Sequence, residues 1–184
     1  EGELVAFPTE TVYGLGADGL NLSARQKIYT AKGRPSDKPL TLHVASLNQV
    51  EQVAKISAEA EKLFKKFCPG ALTIILQKQK NLPDFVTNGL DSVGIRFPDN
   101  EVALKFIKSA DRLIAAPSAN ISGQTPPKTA QEVFENLQGK VEFILDGGEC
   151  KFGISSTIID LSGEVPKILR QGAISAENIF EVLK

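Results

Sequence analysis

The 184-residue sequence has no methionine and no tryptophan, one histidine, two tyrosines and two cysteines. Cys68 and Cys150 lie far apart and neither belongs to a Cys-x-x-Cys pair, which removes zinc-knuckle and dithiol redox readings. Two cysteines in a chain this long do not make a disulfide scaffold. The apolar run Ala71 to Leu76, interrupted by Thr73, is far short of the about 20 residues a membrane helix needs. No basic-then-apolar leader opens the chain, so a reduced, cytoplasmic setting without a membrane partner is expected. Position 1 is not methionine and an apolar stretch follows almost at once, so an earlier lead-in segment is also expected. With 21 basic against 22 acidic side chains, the net charge is -1, unlike a protein built to coat DNA. Scarce aromatics also argue against nucleic-acid recognition by stacking.

What is present suits a globular chain. Hydrophobic residues make up 42% and charged residues 23%, enough to build one core, and the length fits a single domain over 1–184. Leu4–Phe7 reads as a buried strand stopped by Pro8, and Thr9–Gly16 as a shaped loop. Ser23 with Gln26 makes a capping box for a helix to about Lys32, ended by Gly33 and Pro35. Leu40–Val44 alternates, with Leu40, Leu42 and Val44 on one face and Thr41 and His43 on the other. A helical stretch over Ser46–Phe67 breaks near Ser57. Further strands are expected at Ala71–Leu76, Ser92–Arg96, Leu113–Ala116, Val141–Leu145, Ser156–Leu161 and Pro166–Arg170. Helices are expected at Glu101–Ser109, after Thr129, and at Ser175–Leu183. Interleaved strands and helices predict an α/β domain, and connections as short as Leu161–Pro166 require a twisted, mixed parallel and antiparallel sheet with flanking helices.

Two glycine motifs mislead. Gly14-Leu-Gly16-Ala-Asp-Gly19 has dinucleotide spacing, but a helix cap at Ser23 comes too late for glycines that must open the helix directly. Gly148-x-x-x-x-Gly153 has P-loop spacing, but Ile154 replaces the lysine that phosphate charge requires. A serine hydrolase lacks its G-x-S-x-G elbow, and His43 is the one available imidazole.

Chemistry gathers instead in short polar islands at the ends of apolar elements. Pro8–Gly16 is the first. Lys32-Gly-Arg34-Pro-Ser-Asp-Lys38 places three cations within seven residues beside a helix end, a candidate anion clamp in which arginine grips phosphate bidentately and lysine supplies a point charge. In Ser92-Val-Gly-Ile-Arg96, the arginine shares a face with Ser92 and Gly94, opposite Val93 and Ile95. Ala116-Pro-Ser118-Ala-Asn120 projects Ser118 and Asn120 the same way. Ser155-Ser156-Thr157 enters a late strand, and Arg170 closes the next. Singly, each has an ordinary explanation: a solvated helix end, a surface arginine, turn residues. Their joint order and spacing do not.

The combination resembles the YrdC-type threonylcarbamoyl-adenylate synthase family over essentially the whole chain. Its signatures are P-T-E-T-V-Y-G-L at 8–15, K-G-R-P-S-D-K-P-L at 32–40, G-I-R-F-P at 94–98, A-P-S-A-N-I-S-G at 116–123, S-S-T-I-I-D at 155–160 and L-R-Q-G-A-I at 169–174. The resemblance implies a YrdC-like fold with a large basic cavity and two neighbouring subsites. Thr11, His43, Arg96, Ala116 and Ser156 match positions that hold L-threonine. Arg34, Lys38, Ser92, Ser118, Arg170 and the Thr125–Pro126 loop match positions around ATP, although relatives tend to carry a small hydroxyl residue where Pro126 stands. Lys32 and Asn120 complete the two marker motifs, with Lys32 and Arg34 the expected catalytic cations and neither expected in the core.

The implied reaction joins L-threonine, bicarbonate and ATP into threonylcarbamoyl-AMP and pyrophosphate, a nucleotidyl transfer. Mg²⁺ travels with the triphosphate rather than on dedicated protein ligands. The implied consumer is the tRNA threonylcarbamoyl-transfer machinery, and weak direct tRNA binding is left open. Competing expectations are a carbamoyltransferase-like domain of the same fold and a double-stranded RNA or tRNA-binding module.

Overall fold

In the computed structural model, which describes residues 2–184, nine strands form one mixed sheet in the order β7-β1-β2-β6-β3-β5-β4-β8-β9. The strands are β1 Val5–Phe7, β2 Gly14–Asp18, β3 Leu42–His43, β4 Leu72–Gln77, β5 Ser92–Arg96, β6 Ile114–Ala115, β7 Phe143–Ile144, β8 Thr157–Asp160 and β9 Lys167–Arg170. The helices are α1 Leu22–Lys32, α2 Leu47–Glu51, α3 Ala58–Phe67, α4 Asp84–Thr87, α5 Glu101–Ala110, α6 Ala130–Leu137 and α7 Ala176–Leu183. No helix among the described residues is long and apolar enough to cross a membrane.

Pairing is mixed, as the short connections require. β3 runs parallel to β5 and β4 parallel to β8, whereas β4 and β5, β3 and β6, and β8 and β9 are antiparallel. Strand pleating sends alternate side chains to opposite faces. Leu42, Val93, Ile95, Leu72, Ile74, Leu76 and Ile159 point to one face, where they form the main core with residues of α1, α3, α6 and α7. Their neighbours point the other way. Near β1 and β6 that second face is covered by α5, where Phe7 and Ile114 pack with Ala103 and Ile107. Beyond that cover it stays open.

Several sequence expectations change. The segment after Pro8 is not loop up to Gly16, because Gly14–Asp18 forms β2. Its glycines explain themselves by packing: a Cβ on Gly16 would stand 2.8 Å from both the Ile114 Cγ2 and a Phe7 ring carbon. The dinucleotide-like spacing is therefore a close contact between strands and the residues beside them. The cap of α1 is Asn21, whose Oδ1 accepts from the Ala24 amide at 3.1 Å and from the Ser23 hydroxyl at 2.8 Å. Asparagine at this position satisfies an orphan helix N–H as well as serine does. The expected break near Ser57 is real, since Ser57 caps α3, and Thr129 caps the helix expected after it, α6. The single turn α4 was unforeseen, since Asp84–Thr87 is too short to show a helical period.

Candidate functional site

The open face of the sheet floors a cavity of about 270 Å³. Thr41 and His43 reach it from β3 and the residue before it, Ser92, Gly94 and Arg96 from β5, Thr73 and Ile75 from β4, and Ser156 and Ile158 from β8 and its entry. These are every-second-residue sets, so the floor follows directly from strand pleating. Arg96 and Ser92 sit four residues apart on β5, about 13 Å at a rise of about 3.3 Å per residue, which gives the floor two separate ends. Between them Gly94 exposes bare backbone, and a Cβ there would meet nothing nearer than Thr41 Oγ1 at 3.5 Å. Its missing side chain leaves floor space and relieves no clash.

At one end the register aligns His43 with Arg96, and Arg96 with Thr73. Arg96 is buried and donates through Nη2 to Glu10 Oε1 at 3.0 Å and to Thr11 Oγ1 at 2.7 Å. Thr9 gives its hydroxyl proton to the Val12 carbonyl at 2.7 Å, so the Thr9–Thr11 contact at 2.8 Å has Thr11 donating. The result is a one-way relay from Arg96 through Thr11 and Thr9 to the backbone. His43 packs edge-on against Phe7, with ring centroids 5.8 Å apart. Burial, with the neighbouring Arg96 charge second, pushes its imidazole down to about 3, so it stays neutral near neutral pH.

Opposite Arg96, Thr73 and Ser156 share a hydroxyl contact of 2.8 Å. Arg170 bridges onto Ser156, donating Nε and Nη2 to its carbonyl at 3.1 and 2.8 Å and Nη2 to its hydroxyl at 3.2 Å. At the other side of the cavity Arg34 donates Nη2 to the Pro39 carbonyl at 3.1 Å. Three arginines, Arg34, Arg96 and Arg170, thus line one hollow with Ser92, Ser118, Ala116 and Ser156, whereas no carboxylate and no thiol lines it among the described residues. Burial pushes the Cys68 thiol up to about 12 and raises Cys150 as well, so neither offers a thiolate.

Five buried side-chain polar atoms find no partner among the described residues: Glu10 Oε2, Arg34 Nε, His43 Nδ1, Arg96 Nε and Asn120 Oδ1. Buried polar atoms are nearly always hydrogen-bonded. Here the exceptions fall on four of the sequence-derived site residues and on Glu10, which binds one of them.

Other candidates stand further back. Lys32 is 2% exposed and belongs to the core, contrary to expectation. Its Nζ donates to the Ser118 and Asn120 carbonyls, both at 2.5 Å, and burial, reinforced by Arg34, pushes it down to about 8. Lys32 therefore holds the Ser-x-Asn loop in place and does not present its charge on the lining. Asn120 turns its Nδ2 onto the Ile121 and Gln124 carbonyls, both at 2.8 Å, and shapes the same loop. Thr11 is buried behind Arg96, Lys38 is exposed, and neither Lys38 nor Pro126 is on the lining. Sequence reasoning missed Glu10, Thr73 and Gly94. The lone threonine in the run Ala71–Leu76 was the one visible signal for Thr73.

Among the described residues, no group of three His, Cys, Asp or Glu side chains is placed to hold a metal ion. Glu10, the acid bonded to the lining residue Arg96, is committed to that ion pair.

Residues 1–172 match the family model Sua5/yciO/yrdC, described as Telomere recombination. The chain is 52% identical, over its whole length, to a threonylcarbamoyl-AMP synthase of Pyrococcus abyssi, covering 54% of that protein. A Bacillus subtilis protein of the same name is 48% identical over all of the chain, which covers 54% of it. The crystal structure of P. abyssi Sua5 complexed with L-threonine superposes with a TM-score of 0.95, at 52% identity, over 99% of this chain and 54% of that one. The chain therefore spans about half the length of these relatives.

Two outcomes follow from this geometry. Lys32→Ala leaves one buried and one half-buried carbonyl without a donor, so it should destabilise the fold by about 2–4 kcal/mol in urea denaturation, where a solvated lysine would cost almost nothing. His43 has a folded pKa below its unfolded value, so its stability contribution is complete above about 6.5 and declines as pH falls toward about 3. Between pH 7 and 4 a His43→Asn variant should lose less stability than the parent. Equal losses would show that His43 accepts a proton freely in the folded state.

Proposed function

This chain belongs to the Sua5/yciO/yrdC family, and from that premise we propose that it makes threonylcarbamoyl-AMP from L-threonine, bicarbonate and ATP. The observation that carries the reading is the arginine-lined floor with its unpartnered buried donors, facing a hollow that offers cations and hydroxyls without a carboxylate or a thiol. Such a lining stabilises anions and positions them; it is not built to form a covalent intermediate.

In this reading the Arg96 end takes the amino acid. The threonine carboxylate meets the free edge of the Arg96 guanidinium, whose other contacts are fixed by Glu10 and Thr11. Neutral His43 and the hydroxyls of Thr73 and Ser156 frame the rest of the molecule. That the P. abyssi relative was crystallised in complex with L-threonine supports an amino acid as one of the ligands. The nucleotide occupies the end bounded by Arg34, Ser92 and Leu90, with its phosphates directed toward Arg34, Ser118 and Arg170, and with Lys38 reaching in from outside the lining.

The chemistry then runs in two steps. The threonine amine attacks bicarbonate carbon, forming a carbamate and releasing water. A carbamate oxygen next attacks the α-phosphorus of ATP, the bond to the β-phosphate oxygen breaks, and pyrophosphate leaves with its electron pair. This is a nucleotidyl transfer that needs charge neutralisation more than acid–base groups. Since the lining lacks carboxylates, Mg²⁺ fits as an ion carried by phosphate oxygens and water, where it supplies further charge neutralisation. The product is an activated carbamoyl group suited to transfer to tRNA by a downstream enzyme.

Pyrophosphate release should require L-threonine, bicarbonate and Mg-ATP together. Arg34→Ala should reduce it by about tenfold or more through loss of a charge-assisted contact to phosphate, with the thermal midpoint nearly unchanged. Pyrophosphate formed equally well without threonine would remove the assignment.

A further inference from the structure

We propose that Asn88 and Tyr29 are positioning residues, a clasp that holds the Arg34–Lys38 segment at the nucleotide end of the cavity. The proposal rests on the reading of that end as the ATP site. The segment belongs to no helix or strand, and residues 35–39 are all exposed. Its own backbone ties are local, from the Arg34 amide to the Tyr29 carbonyl at 3.0 Å and from Lys38 to Pro35 at 3.3 Å. Two side chains hold it from outside. Tyr29 on α1 donates its hydroxyl to the Lys38 carbonyl at 2.9 Å. Asn88, just after α4, donates Nδ2 to the Ser36 carbonyl at 2.7 Å and to the Tyr29 hydroxyl at 3.1 Å.

The directions of these bonds are determined. A backbone carbonyl can only accept, so the Asn88 amide must turn its NH₂ toward Ser36. Its second N–H goes to Tyr29, whose single proton is already given to Lys38. Two of the three donors therefore end on the cation-bearing segment, and the third braces the tyrosine that holds it. The base of the clasp is firm: Arg25, 1% exposed, donates Nη2 to the Val86 carbonyl at 2.6 Å and ties α4 to α1. Asn88 itself adopts φ 55, a left-handed conformation that asparagine tolerates better than most residues.

The clasp joins two walls of one hollow. Val86, Thr87 and Leu90 line one side, and Arg34, Pro39 and Leu40 line the other. Because Arg34 is bonded to the Pro39 carbonyl, its guanidinium moves with the segment backbone. Displacing that backbone displaces the charge that meets phosphate, while the Arg96 end is untouched.

Two substitutions separate the amide from the backbone. Asn88→Gly keeps the left-handed turn and deletes the amide. Asn88→Asp keeps a residue that tolerates the turn and sets a carboxylate against the Ser36 carbonyl. In calorimetric titration with Mg-ATP, Asn88→Gly should raise Kd about fivefold and Asn88→Asp about tenfold or more. KM for ATP should follow, while KM for L-threonine and kcat at saturating ATP stay within about twofold. Tyr29→Phe should raise the ATP Kd about threefold, and it decides the matter if the Asn88 variants do not fold. ATP affinities within about twofold of the parent in the folded variants, or an equal rise in KM for threonine, overturn the clasp. A parent protein that binds no ATP and releases no pyrophosphate sinks the functional reading instead, so the two failures are distinguishable.

Discussion

The buried pair of Glu10 and Arg96 is the contact around which the cavity is organised. Both side chains are almost wholly buried, and they join the segment after β1 to the last residue of β5. Removing one partner from such a pair costs about 3–5 kcal/mol, because an uncompensated charge is left inside the protein. The pair serves placement more than stability. It uses one nitrogen of the guanidinium and leaves Nε without a protein partner, so Arg96 is fixed in direction with donor capacity in reserve. The relay through Thr11 and Thr9 locks the same side chain from a second direction.

Around that fixed cation, the sheet supplies position with little further specialisation. The order β6-β3-β5-β4-β8 brings five segments of the chain side by side, and pleating turns alternate residues of each to one face. The apolar alternates seal the core beneath helices. The polar alternates have nowhere to go except the cavity floor. Lys32 completes the arrangement from behind, using a buried ammonium to hold the loop from which Ser118 reaches the lining. A marker motif can thus matter for chemistry through a lysine that supports the lining instead of forming it.

Much of this was legible in sequence. The alternation Ser92-Gly94-Arg96 against Val93-Ile95, and Thr41-His43 against Leu42-Val44, gave the correct faces, because period two is imposed by the backbone. The short Leu161–Pro166 connection required an antiparallel pair, and β8 and β9 form one. What escaped was decided by tertiary contact. Gly14–Gly16 resembled a loop because its glycines answer to Phe7 across the β1–β2 pair and to Ile114 on β6, far along the chain. Lys32 resembled a solvated helix end because its two acceptors lie 86 and 88 residues away. Glu10 carried no signal beyond its place in a motif, since a carboxylate acquires its meaning here from an arginine 86 residues later.

A crystal structure with L-threonine and a non-hydrolysable ATP analogue would show which end of the cavity holds which ligand. The amino-acid carboxylate should lie within hydrogen-bonding distance of Arg96, with Glu10 still in place behind it, and phosphate oxygens between Arg34 and Arg170. An amino acid bound away from the sheet floor, with Arg96 contacting Glu10 and Thr11 alone, would contradict that placement.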